Sequence, residues 1–150
     1  KNYRIIGETS PSYINHPKLF TKINKTLSNP KIIVLIRDPI KRAYSNYLHL
    51  LREQRETLSF DEALKQEETR KALKYADFWF YKFNSTYYKK ISKVIDVFSN
   101  ILIITQEELK LNPNQTIKRA YKFLGSEPEF KPKSFWFCKS LPKRSNGLLC

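Results

Sequence analysis

The sequence predicts a single α/β domain, a three-layer sandwich around a short central parallel sheet. Two uninterrupted, β-branched runs, "KIIVLI" at 31–36 and "NILIIT" at 100–105, read as strands covered on both faces. The stretch between them has helical spacing, and strand, helices, strand is the order of a parallel crossover. With 41% hydrophobic and 14% aromatic residues, 150 residues suffice for one buried core.

The elements follow in order. "YRII" at 3–6 predicts a short first strand stopped by Gly7, and "ETSPSY" a loop. From Pro17, Leu19, Phe20, Ile23 and Leu27 recur at helical spacing until "SNP" ends the run. After the strand at 31–36, Asp38 is placed to cap a helix whose first residue is Pro39. Ile40, Tyr44, Tyr47 and Leu51 form its apolar stripe, and it should reach about Arg52 to Arg55. "SFDE" at 59–62 is a capping box opening a helix through "EALKQEETRKAL". "NSTYYKKISKVIDVF" places Tyr88, Ile91, Val94, Ile95 and Phe98 on one helical face before the strand at 100–105. A last helix through "NQTIKRAYKFLG" ends at Gly125, and the Pro- and Lys-rich remainder reads as an irregular tail. No repeat or low-complexity linker divides the chain.

A formal net charge of +14 implies attraction to anions, although a bias toward Lys, Asn and Ile leaves most lysines as solvated surface. No run approaches the roughly 20 apolar residues of a membrane span, and "KNYRIIGETS" has no signal-peptide pattern. Cys138 and Cys150 have neither a CxxC pairing nor a His at metal spacing, so no zinc site is expected. They are either one disulfide or two separate thiols, and composition favours neither.

Chemistry concentrates where the strand at 31–36 meets the next helix. Ligands of open α/β sheets bind at the carboxyl ends of the strands, and Arg37 stands there. Its guanidinium can take a phosphate in a forked contact, assisted by the positive end of the helix. Ser45, two turns along, shares a side with Lys41 and His49 and can offer a second bond to the same anion. An Arg37 paired with a carboxylate and a merely exposed Ser45 fit the spacing equally well.

These residues carry a resemblance. "VLIRDPIKRAYSNYLH" is similar to the 3′-phosphate-binding segment of sulfotransferases that use 3′-phosphoadenosine 5′-phosphosulfate, especially the heparan sulfate type and its bacterial relatives. "GETSPSYI" resembles the family's "EKTPSY" loop, and "ILIITQEELKLNPNQTIKRAYKFLG" its later strand, acidic segment and "FLG" helix end. "SFWFCKSLPKRSNGLLC" is similar to the paired-cysteine loop of the heparan branch.

The resemblance implies a partial P-loop NTPase-like sulfotransferase fold, with Arg37 and Ser45 as ligands of the donor's 3′-phosphate. The nucleotide donor becomes adenosine 3′,5′-bisphosphate, no metal is expected, and the acceptor is a hydroxyl or amine, with the heparan likeness tilting toward carbohydrate. His49 would assist the acceptor or leaving group, with a surface histidine as the alternative; Glu8 and Thr9 would lie near the substrate. Thr9 replaces the family's Lys and removes a positive charge there. Cys138 and Cys150 would form a loop disulfide. The tract Tyr75, Phe78, Trp79, Phe80, Tyr81 and Phe83 can stack on sugars or fill a core.

The three glycines form no phosphate loop, so the chain is expected to be a middle and C-terminal portion of a longer domain, with the main catalytic base upstream and its activity in isolation in doubt. The compartment follows the source: cytoplasm for a bacterial enzyme, Golgi lumen for a eukaryotic heparan-type one. The rival reading is a non-catalytic basic module that holds a polyanion or nucleotide; no recognised nucleic-acid motif is present.

Overall fold

The computed structural model describes residues 5–126. Its centre is a two-stranded parallel sheet of β1 (Ile32–Ile36) and β2 (Ile101–Thr105), with Val34 opposite Ile103 in register. Both strands begin and end within one residue of the expected runs. Successive side chains of a strand face opposite ways. Ile32, Val34 and Ile36 therefore join Ile101 and Ile103 on one face, against Phe20, Val94 and Phe98.

That face is covered by α1 (Phe20–Thr26) and α6 (Tyr88–Val97), with the Phe20 and Phe98 rings 5.7 Å apart. α7 (Gln106–Leu111) follows β2 directly, and α8 (Pro113–Leu124) returns against it. On the second face Ile104 is 4% exposed, but its register partner Leu35 is 67% exposed. The expectation that both strands are covered twice thus fails for β1, because α8 lies on the β2 side. Residues 3 and 4 of the expected first strand lie outside the described residues, and Ile5 and Ile6 form no strand. Among the described residues these two have no neighbouring strand to pair with.

Between the strands, α2 (Pro39–Arg52) starts as predicted. Asp38 Oδ1 accepts the Lys41 N–H at 2.7 Å and Pro39 is the first helical residue. Its buried face is Ala43, Tyr47 and Leu50, so of the predicted stripe only Tyr47 is fully buried, Leu51 packs partly against the same core, and Ile40 and Tyr44 face outward. Ile40 is 75% exposed. The small Ala43 lets α5 (Tyr81–Ser85) approach, and a second core forms from Ala43, Tyr47, Leu50, Ala63 and Tyr81. Full burial of one such Leu or aromatic ring stabilises by about 1.5–3 kcal/mol.

The Ser59 and Glu62 capping box forms, but the helix it opens breaks at Gln66 into α3 (Phe60–Lys65) and α4 (Glu67–Ala72). The break falls where α4 turns buried charges inward. Arg70 Nη2 donates to Glu56 Oε1 at 3.0 Å, Nη1 lies 2.8 Å from Oε2 off the line of a hydrogen bond, and Tyr81 donates to Oε2 at 2.7 Å. Glu67 accepts the N–H groups of Lys82 and Phe83 at the start of α5. α6 buries Lys90 and Val94 and leaves the predicted Tyr88 and Ile95 exposed. α8 ends where predicted, with Gly125 at φ 83°, a left-handed conformation costly for other residues. No helix among the described residues is long and apolar enough to cross a membrane.

Candidate functional site

Both strands end at the same side of the sheet, and α2, α6 and α7 begin around that side. A hollow of about 240 Å³ lies there. Arg37, Arg42, Tyr87 and Gln106 are its polar lining, and Leu35, Ile36 and Leu109 its apolar walls. This is somewhat smaller than the roughly 300 Å³ at which pockets for whole drug-sized ligands begin, a size suited to one end of a longer ligand.

Each polar residue is positioned by an element terminus. Arg37 directly follows β1 and precedes the α2 cap, Tyr87 precedes α6, and Gln106 opens α7. Among the described residues the Nε of Arg37 is buried with no hydrogen-bond partner. A buried donor left unpaired costs about 1–3 kcal/mol, so this atom calls for an acceptor. The nearby carboxylates do not supply it: Asp38 holds the Lys41 N–H, and Glu107 Oε1 accepts the Asp38 N–H at 3.2 Å.

Arg42, one turn into α2, donates to Ser85 Oγ across 3.5 Å. Burial lowers its guanidinium from the ordinary value, the Tyr87 oxygen opposes that, and the charge of Arg37 adds to the lowering. Behind it Lys90 is 6% exposed, donates to the Phe83 carbonyl and sits 4.1 Å over the Phe83 ring. Burial, followed by Arg42, lowers the Lys90 amine to about 8, although Asp77 and Glu67 pull upward. Two cations, Arg37 and Arg42, therefore line one hollow.

The other predicted site residues are dispersed. Ser45 is exposed one turn beyond Arg42 on the same side of α2 and does not line the hollow. His49, a further turn along, has both ring nitrogens engaged. Nδ1 is 2.9 Å from Arg52 Nη2 and Nε2 is 3.1 Å from Glu53. Because an arginine only donates, Nδ1 accepts and Nε2 carries its hydrogen toward Glu53. Glu8 and Thr9 are exposed on the opening loop, and neither lines the hollow. Glu8 accepts the Tyr13 hydroxyl at 2.7 Å and thereby raises its pKa. Cys138 and Cys150 lie outside the described residues.

The aromatic tract divides. Phe80 and Tyr81 are core, while Tyr75 and Phe78 are exposed, and Asn46 donates to the Phe78 carbonyl at 2.6 Å. The Arg55 guanidinium stacks 4.4 Å over the Phe78 ring. Sequence reasoning passed over Arg42, although it stands three residues before Ser45 on its side of α2. Tyr87 and Gln106 were not legible, because only the crossover brings their elements to the end of β1. Among the described residues no group of three or more His, Cys, Asp or Glu side chains converges as a metal site would require.

Residues 1–131 match the Sulfotransferase family. A membrane-associated sulfotransferase, kil1 of Dictyostelium discoideum, is 45% identical over 47 residues, which are 31% of this chain and 10% of that protein. The crystal structure of a sulfotransferase from Alicyclobacillus acidocaldarius superposes with a TM-score of 0.84 at 33% identity, over 91% of this chain and 56% of that one. The chain thus spans a tenth of that curated relative and little more than half of the solved structure.

Proposed function

The chain belongs to the sulfotransferase family, and from that premise we propose that it is the part of a sulfotransferase that holds the nucleotide donor by its 3′-phosphate. The donor is 3′-phosphoadenosine 5′-phosphosulfate, and the group moved is the sulfuryl group. The observation that carries the reading is the buried, unpartnered Nε of Arg37 at the strand end, beside a capped helix start. Arg37 grips the phosphate at the hollow, and Ser45, which lies outside that lining one turn beyond Arg42, supplies its hydroxyl to a phosphate that reaches out along α2.

In the reaction an acceptor oxygen or nitrogen attacks sulfur while the bond from sulfur to the 5′-phosphate oxygen breaks. The electron pair of that bond leaves on adenosine 3′,5′-bisphosphate, and the acceptor proton passes to a base. As in phosphoryl transfer, positioning and stabilisation of developing negative charge supply most of the catalysis. Arg37 and Ser45 hold the leaving nucleotide and take no part in the bond changes. His49, with Nδ1 on Arg52 and Nε2 on Glu53, assists the acceptor or leaving group, while the main base lies upstream of this segment. A carbohydrate acceptor is favoured by the exposed Tyr75 ring, whose face suits sugar stacking; one face of Phe78 is already taken by Arg55.

Calorimetric titration with adenosine 3′,5′-bisphosphate, against adenosine 5′-phosphate as control, tests the reading. The wild-type chain should prefer the bisphosphate by about tenfold or more, as a charge-assisted contact implies. Arg37→Ala/Ser45→Ala should abolish the preference. Equal binding of the two nucleotides by the wild-type chain would favour a basic module without a nucleotide site.

A further inference from the structure

We propose that Arg42 is a second cationic ligand in the Arg37 hollow, and that the two guanidiniums together select a doubly charged terminal phosphate over a singly charged sulfate ester. The inference rests on the reading that this hollow receives the nucleotide's 3′-phosphate. It adds a binding residue and a charge requirement to that reading.

Two like charges facing one hollow repel unless an anion lies between them, and here the protein supplies none. Arg37 and Arg42 line the same space, while the neighbouring Asp38 and Glu107 are engaged with backbone N–H groups. Arg42 makes one long contact, 3.5 Å to Ser85 Oγ, and that hydroxyl gives its own proton to the Tyr81 carbonyl at 2.7 Å. Most of the five guanidinium donors of Arg42 are thus free for a ligand among the described residues. Ser85 acts as a rest that aims the side chain from behind.

The charge count then decides the class of anion. A phosphate monoester carries about −1.5 to −2 at neutral pH, with three acceptor oxygens, and a guanidinium fork suits two of them. A sulfate ester carries a single negative charge and leaves one guanidinium uncompensated. Tyr87 and Gln106 add neutral donors that do not discriminate.

The experiment compares three ligands on the full chain by calorimetry: adenosine 3′,5′-bisphosphate, its analogue with a 3′-sulfate, and adenosine 5′-phosphate. Wild type should bind the bisphosphate about ten- to a hundredfold more tightly than the 3′-sulfate analogue. Arg42→Gln should bring those two affinities together while leaving adenosine 5′-phosphate binding unchanged. Arg42→Lys should keep the phosphate preference with weaker binding, since charge remains and the fork is lost. Equal affinity of wild type for the 3′-phosphate and 3′-sulfate ligands, with both above adenosine 5′-phosphate, overturns the dianion requirement and leaves the Arg37 site standing. An unchanged ratio in Arg42→Gln does the same for the residue. If wild type shows no preference for any 3′-anion, the nucleotide reading itself falls, and the role of Arg42 with it. The wild-type comparison stands on its own if Arg42→Gln does not fold.

Discussion

Lys90 is the least expected residue in the fold, a cation at the buried centre of α6 where a helical stripe would place an apolar side chain. Its lowered amine, about 8 against the ordinary 10.5, makes the folded chain hold fewer protons than the unfolded chain between those values. Stability should therefore rise with pH through that window and be lost as pH falls through 8, by up to roughly 3 kcal/mol over the whole range. Lys90→Met should flatten the rise, measured as urea midpoints at a series of pH values. Tyr81, raised by burial and by Glu56, works in the opposite sense above pH 10, so the comparison is read below that. Arg37 and Lys90 differ in how much of them a sequence exposes. Arg37 announced itself by following a buried run and preceding Asp-Pro, whereas the burial of Lys90 depends on Phe83 and Arg42, which belong to other elements.

At the scale of elements, the segments from 53 to 85 are tied by one buried carboxylate. Glu56 accepts from Arg70, Tyr81 and the N–H groups of Thr57 and Leu58, joining a loop, α4 and α5. Burial works to raise its pKa, but the Arg70 and Tyr81 bonds prevail and hold it below the ordinary value. Its contribution is present above the ordinary carboxylate range and is lost as pH falls through the lowered value. Glu56→Ala should cost about 3–5 kcal/mol in urea unfolding at neutral pH, because Arg70 is left charged, buried and unpaired. A loss below about 1 kcal/mol would show that water reaches Arg70. The caps at Asp38 and Ser59 were readable, since capping needs only residues within one turn. So was the Thr105 and Glu108 capping box, although only the structure drew attention to it. The pairing of Glu56 with Arg70 spans fourteen positions and a helix break, and no periodicity marks it.

At the scale of the molecule, β1 is the exposed side of the sheet. Among the described residues it has no neighbour on its outer edge, and Ile33 and Leu35 present apolar side chains on its open face. Unpaired edges and contiguous apolar surface favour association. The chain should self-associate as its concentration rises, and Leu35→Lys should reduce this without lowering the unfolding midpoint, as read by light scattering and thermal melts. Unchanged scattering in that variant would place the association elsewhere. The solved relative, alike over 91% of this chain but over 56% of its own length, shows the described fold embedded in a larger protein.

The sequence by itself determined both strands, the capped starts of α2 and α3 and the placing of Arg37 at a strand's carboxyl end, because these depend on alternation, turn chemistry and neighbours within a few positions. Family membership was legible for the same reason, since "VLIRDPIKRAYSNYLH" is one continuous segment. Only the tertiary structure decided which face of α2 is buried, which strand face stays open, and that Arg42, Tyr87 and Gln106 share a hollow with Arg37. Those outcomes follow from how helices pack across the crossover, where residues distant in sequence compete for the same space and the same unpaired charges.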